Sequence, residues 1–186
     1  MAFTLPGGVA IGSMSSLYYA LIGLITGEGG GSGYGGAPVT ITRPANNTPY
    51  DAGDVVGAAA AAISFPSLGP SGAHILITSV ALEIDVTGIP AGMTSFRLHL
   101  YNVTPPSVLA DAATWDLPSG DRASYVGYVD LGTPVDLGST LYVQTDQINK
   151  QVALAGTGLF GYLVTNGGYT PSSAAVKRVT LHSVVI

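Results

Sequence analysis

The sequence predicts an all-β protein, an antiparallel β-sandwich of jelly-roll-like type with an N-terminal apolar arm. Two observations predict it. From residue 39 onward, short apolar or alternating runs are separated by clusters of Gly, Pro, Asn and Asp, the signature of strands and tight connections. No long amphipathic pattern of helical period lies between those runs, so the crossover helices of a parallel sheet are missing.

Taken in order, residues 1–37 read as an arm and linker, and residues 38–186 as the sandwich domain. Within the arm, "SMSSLYYALIGLITG" offers Ser15 or Ser16 as the N-cap of a short helix and Gly27 as its end. The stretch is apolar nearly all round and so needs cover on most sides. Leu17, Tyr18, Tyr19, Leu21, Ile22 and Leu24 are therefore candidate partner contacts. The run "LYYALIGLI" is too short to span a bilayer. "GEGGGSGYGGAP" follows as a flexible glycine linker.

The domain offers candidate strands at 39–43, 61–65, 74–86, 95–103, 125–131, 140–145, 151–154, 158–165 and 176–186. The alanine run at 58–62 has helical propensity, but its flanks favour strand. Around "TGIPAGMT" (87–94) the alternation predicts a hairpin. Val80, Leu82, Ile84 and Val86 would share the core face with Phe96, Leu98 and Leu100. On the polar face Asp85 would oppose Arg97, and Glu83 would oppose His99.

Composition narrows the function. Charged residues make up 9% of the 186 and hydrophobic ones 47%, against about a quarter charged in ordinary soluble proteins. A surface so poor in charge is one expected to be covered by copies of itself or by a partner. Ten tyrosines against four phenylalanines fit surfaces of that kind, since Tyr joins apolar area to a polar tip. A net charge of -5 with six scattered basic residues argues against nucleic-acid binding, which needs cations to displace counterions from phosphate. There are no cysteines, so disulfides and thiolate metal sites are excluded. The start lacks the basic region of a secretory signal. Use inside a cell, or in a particle assembled there, is expected.

Reactive motifs fare poorly. "GSGYGG" matches G-x-G-x-x-G, but no strand precedes it and a β-like run follows, so a dinucleotide has no helix N-terminus to meet. No P-loop or nucleophile elbow occurs. Asp111, Asp116 and Asp121 recur every five residues, which is wrong for a calcium loop. Glu83, Asp85 and His99 have charge partners in the hairpin, which is a simpler account than a metal site. In "VLADAATWDLPSGDR" (108–122) the sole tryptophan, Trp115, reads as the plug of a loop folded over the end of the sandwich, or as part of a sugar- or partner-binding surface. Tyr169 in "TNGGYTPSS" (165–173) is a candidate contact at a loop tip.

The strip "ITRPANNTPYDAGDVVG" (41–57) concentrates Arg43, Asp51 and Asp54 in a chain otherwise short of charge. Pro44 must end the first strand, and the Asn, Pro, Asp and Gly residues make turns. Its charges are expected to hydrogen-bond the loop itself. "TRPANNTPYDAGDVVG" resembles the T-R-P-x-x-x-T-x-Y-x-x-G-D-V-[VI]-G strip of structural proteins of tailed bacteriophages. "LHLYNVTPPS" and "ATWDLPSGDRASYVGYVDL" are similar to the same type, so the likeness covers most of residues 38–186.

The resemblance implies a virion component assembled in the host cytoplasm, with no catalytic residue and no cofactor. Its expected place is the capsid exterior as a decoration or cement protein. Its expected partners are the major capsid protein or other virion proteins and further copies of itself, a trimer being favoured, with neither nucleic acid nor membrane. The alternative is a tail fibre or other host-contacting appendage that binds a surface glycan through loops 104–124 and 165–173. A sugar-active enzyme with Asp116 or Asp121 as acid is a third class, but no paired-carboxylate geometry supports it.

Overall fold

A computed structural model describes residues 3–4, 10–11, 34–36 and 38–186 apart from residue 59. The chain divides into two compact units, Met1–Gly33 and Tyr34–Ile186. In the first, β1 (Phe3–Thr4) pairs antiparallel with β2 (Ala10–Ile11). Leu17, Tyr18, Tyr19, Leu21, Ile22 and Leu24, with the expected helix, lie outside the described residues.

The second unit is all-β, and every strand pair in it is antiparallel. Its strands are β3 (Tyr34–Gly35), β4 (Pro38–Thr42), β5 (Ile63–Phe65), β6 (His74–Ile84) and β7 (Phe96–Tyr101), followed by β8 (Tyr125–Leu131), β9 (Val135–Asp136), β10 (Leu141–Ala153), β11 (Leu159–Thr165) and β12 (Val176–Val185). One sheet runs β3-β12-β6-β10-β9, with β4 also paired to β12; the other runs β5-β11-β7-β8. Among the described residues there is no helix. The two sheets form the expected sandwich. Ile75, Ile77, Leu82, Val179 and Leu181 of the larger sheet join Phe65, Phe96, Leu98, Leu159 and Leu163 of the smaller in one core, each no more than 1% exposed. Full burial contributes roughly 1.5–3 kcal/mol per such side chain.

The expected hairpin at 87–94 does not exist. β6 lies in the larger sheet and β7 in the smaller, so "TGIPAGMT" is an arch between sheets. Alternation reports which side of a strand faces the core, and both sheets share one core, so the pattern could not tell a hairpin from an arch. Glu83 instead opposes Tyr142 and Arg178, and its carboxylate accepts from Arg178 Nη1 at 3.1 Å. Arg97 opposes Asp130, its Nε 2.7 Å from Oδ1. The arch is fixed by close backbone approach. Gly92 has φ +86°, and a Cβ there would stand 2.2 Å from the Gly168 carbonyl oxygen.

Three strand expectations also shift. The 61–65 strand shrinks to β5, leaving the described alanines outside any strand. The runs 140–145 and 151–154 are one strand, β10, broken in register between Asp146 and Lys150. There Gln147 and Asn149 take positive φ (56° and 51°). Facing this irregularity, β6 changes phase. Ile75 and Ile77 point inward before it, and Val80, Leu82 and Ile84 after it. Thr78 has no register partner on either neighbour, and β12 also slips between His182 and Ser183. This single extra residue lets an odd-numbered and an even-numbered apolar set enter one core.

Candidate functional site

The strip at 41–57 brings two charged residues, Arg43 and Asp54, into the domain's interior. β4 stops at Thr42, before Pro44, as expected. Arg43 then turns inward with its side chain fully buried, 0% exposed. Its Nη1 donates to Asn46 O at 2.7 Å; its Nη2 lies 3.0 Å from Asn46 Oδ1 and 3.3 Å from Thr48 O. Asn46 Oδ1 also accepts from Thr48 N at 3.1 Å. Asp54 Oδ2 accepts from Asp51 N at 2.8 Å. The charges of the strip do hydrogen-bond the strip itself.

They also reach further. Arg43 Nη2 stands 3.0 Å from Oδ2 of Asp111, whose side chain is 4% exposed. The other oxygen of Asp111 accepts from Tyr50 OH at 2.5 Å and from Gly57 N at 3.1 Å. Asp54 Oδ1 accepts from Thr114 Oγ1 at 3.2 Å. Backbone bonds bind the strip to the end of β11: Gly53 N to Thr165 O, Thr165 N to Asp54 O, and Val56 N to Leu163 O, at 2.7–3.0 Å. Tyr50 and Tyr169 exchange both backbone bonds, at 2.9 and 3.1 Å. The strip thus extends the edge of the smaller sheet beyond β5 and clamps the 108–122 loop onto it. Sequence reasoning missed Asp111 because its partners lie more than 50 residues away.

Tyr169 is 4% exposed and sits in the core, its ring edge-on to Phe96 at 6.2 Å and tilted on Tyr50 at 5.1 Å. It is not at a loop tip. Burial pushes its hydroxyl well above the ordinary tyrosine range, and does the same to Tyr50, where Asp111 adds to the effect. Nearby, Lys177 occupies an inward position of β12, in phase with Val179 and Leu181, and is 1% exposed. Neither Lys177 Nζ nor Tyr169 OH has a hydrogen-bond partner among the described residues. Burial drives the lysine down to about 8, Asp111 opposing and Arg43 assisting. Its phase in "VKRVTL" was the available sequence signal.

Trp115 lies on the outer face of the smaller sheet. Its indole stacks on the His99 ring with centroids 3.6 Å apart and planes 23° from parallel. At His99 the expected solvated face is therefore covered, and that residue is 3% exposed. His99 Nδ1 is 2.9 Å from Tyr125 OH. Burial, with Arg97 assisting and Asp130 opposing, depresses the imidazole to about 4. Tyr101, Tyr162, Val55 and Val164 make a second apolar cluster there, joined by Trp115, Leu117 and Phe160. Tyr162 OH donates to Ser107 O at 2.9 Å and accepts from Leu109 N at 3.2 Å. Trp115 is thus the loop's plug, though over a sheet face, not the sandwich's end.

Asp121 is 2% exposed and accepts from Ser107 N at 3.2 Å; Asp116 accepts from Leu117 N next to it. Both carboxylates hold turns. A cleft of about 380 Å3 beside β5 and β11 is lined by Ser64, Asn102, Thr104, Thr157 and apolar or glycine positions, with no titratable side chain. Among the described residues no group of three or more His, Asp or Glu is placed to hold a metal ion. No helix among them is long and apolar enough to cross a membrane.

No protein-family profile matches the chain, and no curated protein sequence does. Among solved structures it is similar to an endo-1,4-β-D-xylanase of Clostridium thermocellum complexed with xylohexaose, at 8% identity and TM-score 0.29. That likeness covers 82% of this chain, which spans about a quarter (26%) of the xylanase chain. It is also similar to a chain of the native Kashmir bee virus virion, at 14% identity over 82% of this chain and 70% of that one, with TM-score 0.27. A third is a chain of the Israel acute paralysis virus pentamer, at 14% identity over 81% and 88%, with TM-score 0.25. The sandwich rests on the strand pairing above and not on these likenesses.

Proposed function

We propose that this chain is a non-enzymatic structural protein of a tailed-bacteriophage virion, bound on the outside of the head as a decoration or cement protein. The fate of the 41–57 strip carries the reading. The residues that resemble phage structural proteins are consumed inside the fold: Arg43, Asn46, Tyr50 and Asp54 all hold the strip, β11 or the 108–122 loop in place. A strip used this way serves architecture.

The outside fits the same reading. Charge is scarce, and the turn around β9 exposes two apolar side chains, Val135 at 62% and Leu137 at 65%. Function is then binding, by apolar area buried at many repeated contacts, with the glycine linker letting one copy reach a second site. The partners are the major capsid protein and further copies in a symmetric oligomer, a trimer being favoured. Leu17, Tyr18, Tyr19, Leu21, Ile22 and Leu24 are its proposed contacts.

Electron microscopy of particles carrying a labelled copy tests the location. Label in stoichiometric amounts over the head supports the proposal. Label confined to the tail rejects it in favour of the appendage alternative.

A further inference from the structure

The interior around β12 holds more cation than anion. Arg43 and Lys177 are both buried, and Asp111 is the carboxylate acting on both. Asp111 already accepts from Arg43, Tyr50 and Gly57. Lys177 and Tyr169 line one cavity of about 10 Å3, room for roughly one solvent-sized particle. Each lacks a partner, so they do not bond to each other. The rest of the lining is apolar apart from Ser172 at its exposed side.

We propose that Lys177 and Tyr169 bind one small monovalent anion, of chloride's size, in this cavity. The chemistry favours an anion over water. An ammonium has three donors and no acceptor, and the tyrosine hydroxyl supplies another donor. A water could accept from Lys177 and donate to the tyrosine oxygen, but it would leave the buried ammonium's charge without compensation. An anion accepts from both and offsets the excess positive charge, which is costly to leave uncompensated in a buried site. Burial, assisted by Arg43, pushes the lysine down to about 8 and Asp111 opposes that, so binding should fade as the lysine loses its proton.

The test compares full-length protein in sodium chloride and in sodium gluconate at equal ionic strength. Chloride-35 NMR line broadening reads binding, and Tm reads its linkage to folding. At pH 7 chloride should broaden the resonance and raise Tm above the gluconate value by about 3–6 °C. Both effects should vanish at pH 10 and in Lys177→Met, and broadening should fall several-fold in Tyr169→Phe. Identical behaviour in the two salts, as a neutral water would give, overturns the proposal. So does broadening that survives in Lys177→Met. Should that variant not fold, Tyr169→Phe decides: broadening equal to the unsubstituted protein's overturns the assignment.

Discussion

Arg43 and Asp111 are 68 residues apart in sequence and 3.0 Å apart in space. Removing one member of a buried pair leaves the other charge without compensation, at a cost of about 3–5 kcal/mol. Arg43→Met and Asp111→Leu should each lower the urea midpoint strongly. The double variant should lose clearly less than the sum, because neither member of the pair is left charged and unpaired. Additive losses would mean that the pair is not coupled. His99 sets a pH dependence. Its folded value, about 4, lies below the ordinary 6.5, so the unfolded chain binds the extra proton first. Stability is therefore whole above about pH 6.5 and falls as pH drops toward 4, by up to roughly 3 kcal/mol. His99→Phe, which keeps a ring against Trp115, should flatten that part of the acid limb in Tm measured from pH 7 to 4. Equal acid loss in both proteins would refute the assignment. None of this long-range pairing was legible in the sequence. Arg43 was visible as a misplaced charge and Trp115 as a plug, but their partners are chosen by strand order.

At the scale of elements, period-two alternation located most strands, because a sandwich strand must put one face in the core. It failed where two solutions bury the same residues. A hairpin and an arch at 87–94 place Val80–Val86 and Phe96–Leu100 equally well, and only the finished sheets distinguish them. Backbone crowding reveals the arch. Gly92→Ala should destabilise by about 2 kcal/mol or more, since positive φ and a 2.2 Å approach to Gly168 O both penalise a Cβ. Gly88→Ala, in the same arch with nothing within 4 Å, should fall within about 0.5 kcal/mol of the parent. Similar urea midpoints for the two variants would contradict this geometry. β6 and β10 carry the same lesson: the phase change at Thr78 is written in "ILITSVALEI", yet it reads as a bulge only when the partner strands are known.

For the whole molecule, among the described residues the buried members of both apolar clusters run from Ile41 to Leu181. The body should therefore keep its own stability when the arm is removed. Deleting residues 1–27 should leave Tm within about 2 °C and abolish both oligomer formation and capsid binding, read by analytical ultracentrifugation and particle co-sedimentation. Unchanged oligomer size and capsid binding would remove the arm from the proposed mechanism.

Composition and local period by themselves determined the all-β class, the sandwich, most strand positions and a strip of charge serving the fold. Each of these depends on neighbours within a few residues or on sums over the chain. Tertiary structure alone decided which strands share a sheet, that His99 lies under Trp115, and that Arg43 meets Asp111 while Lys177 and Tyr169 share a cavity. Alternation specifies a side of a strand, whereas these contacts require a neighbour, and neighbours are set by how two sheets close around one core.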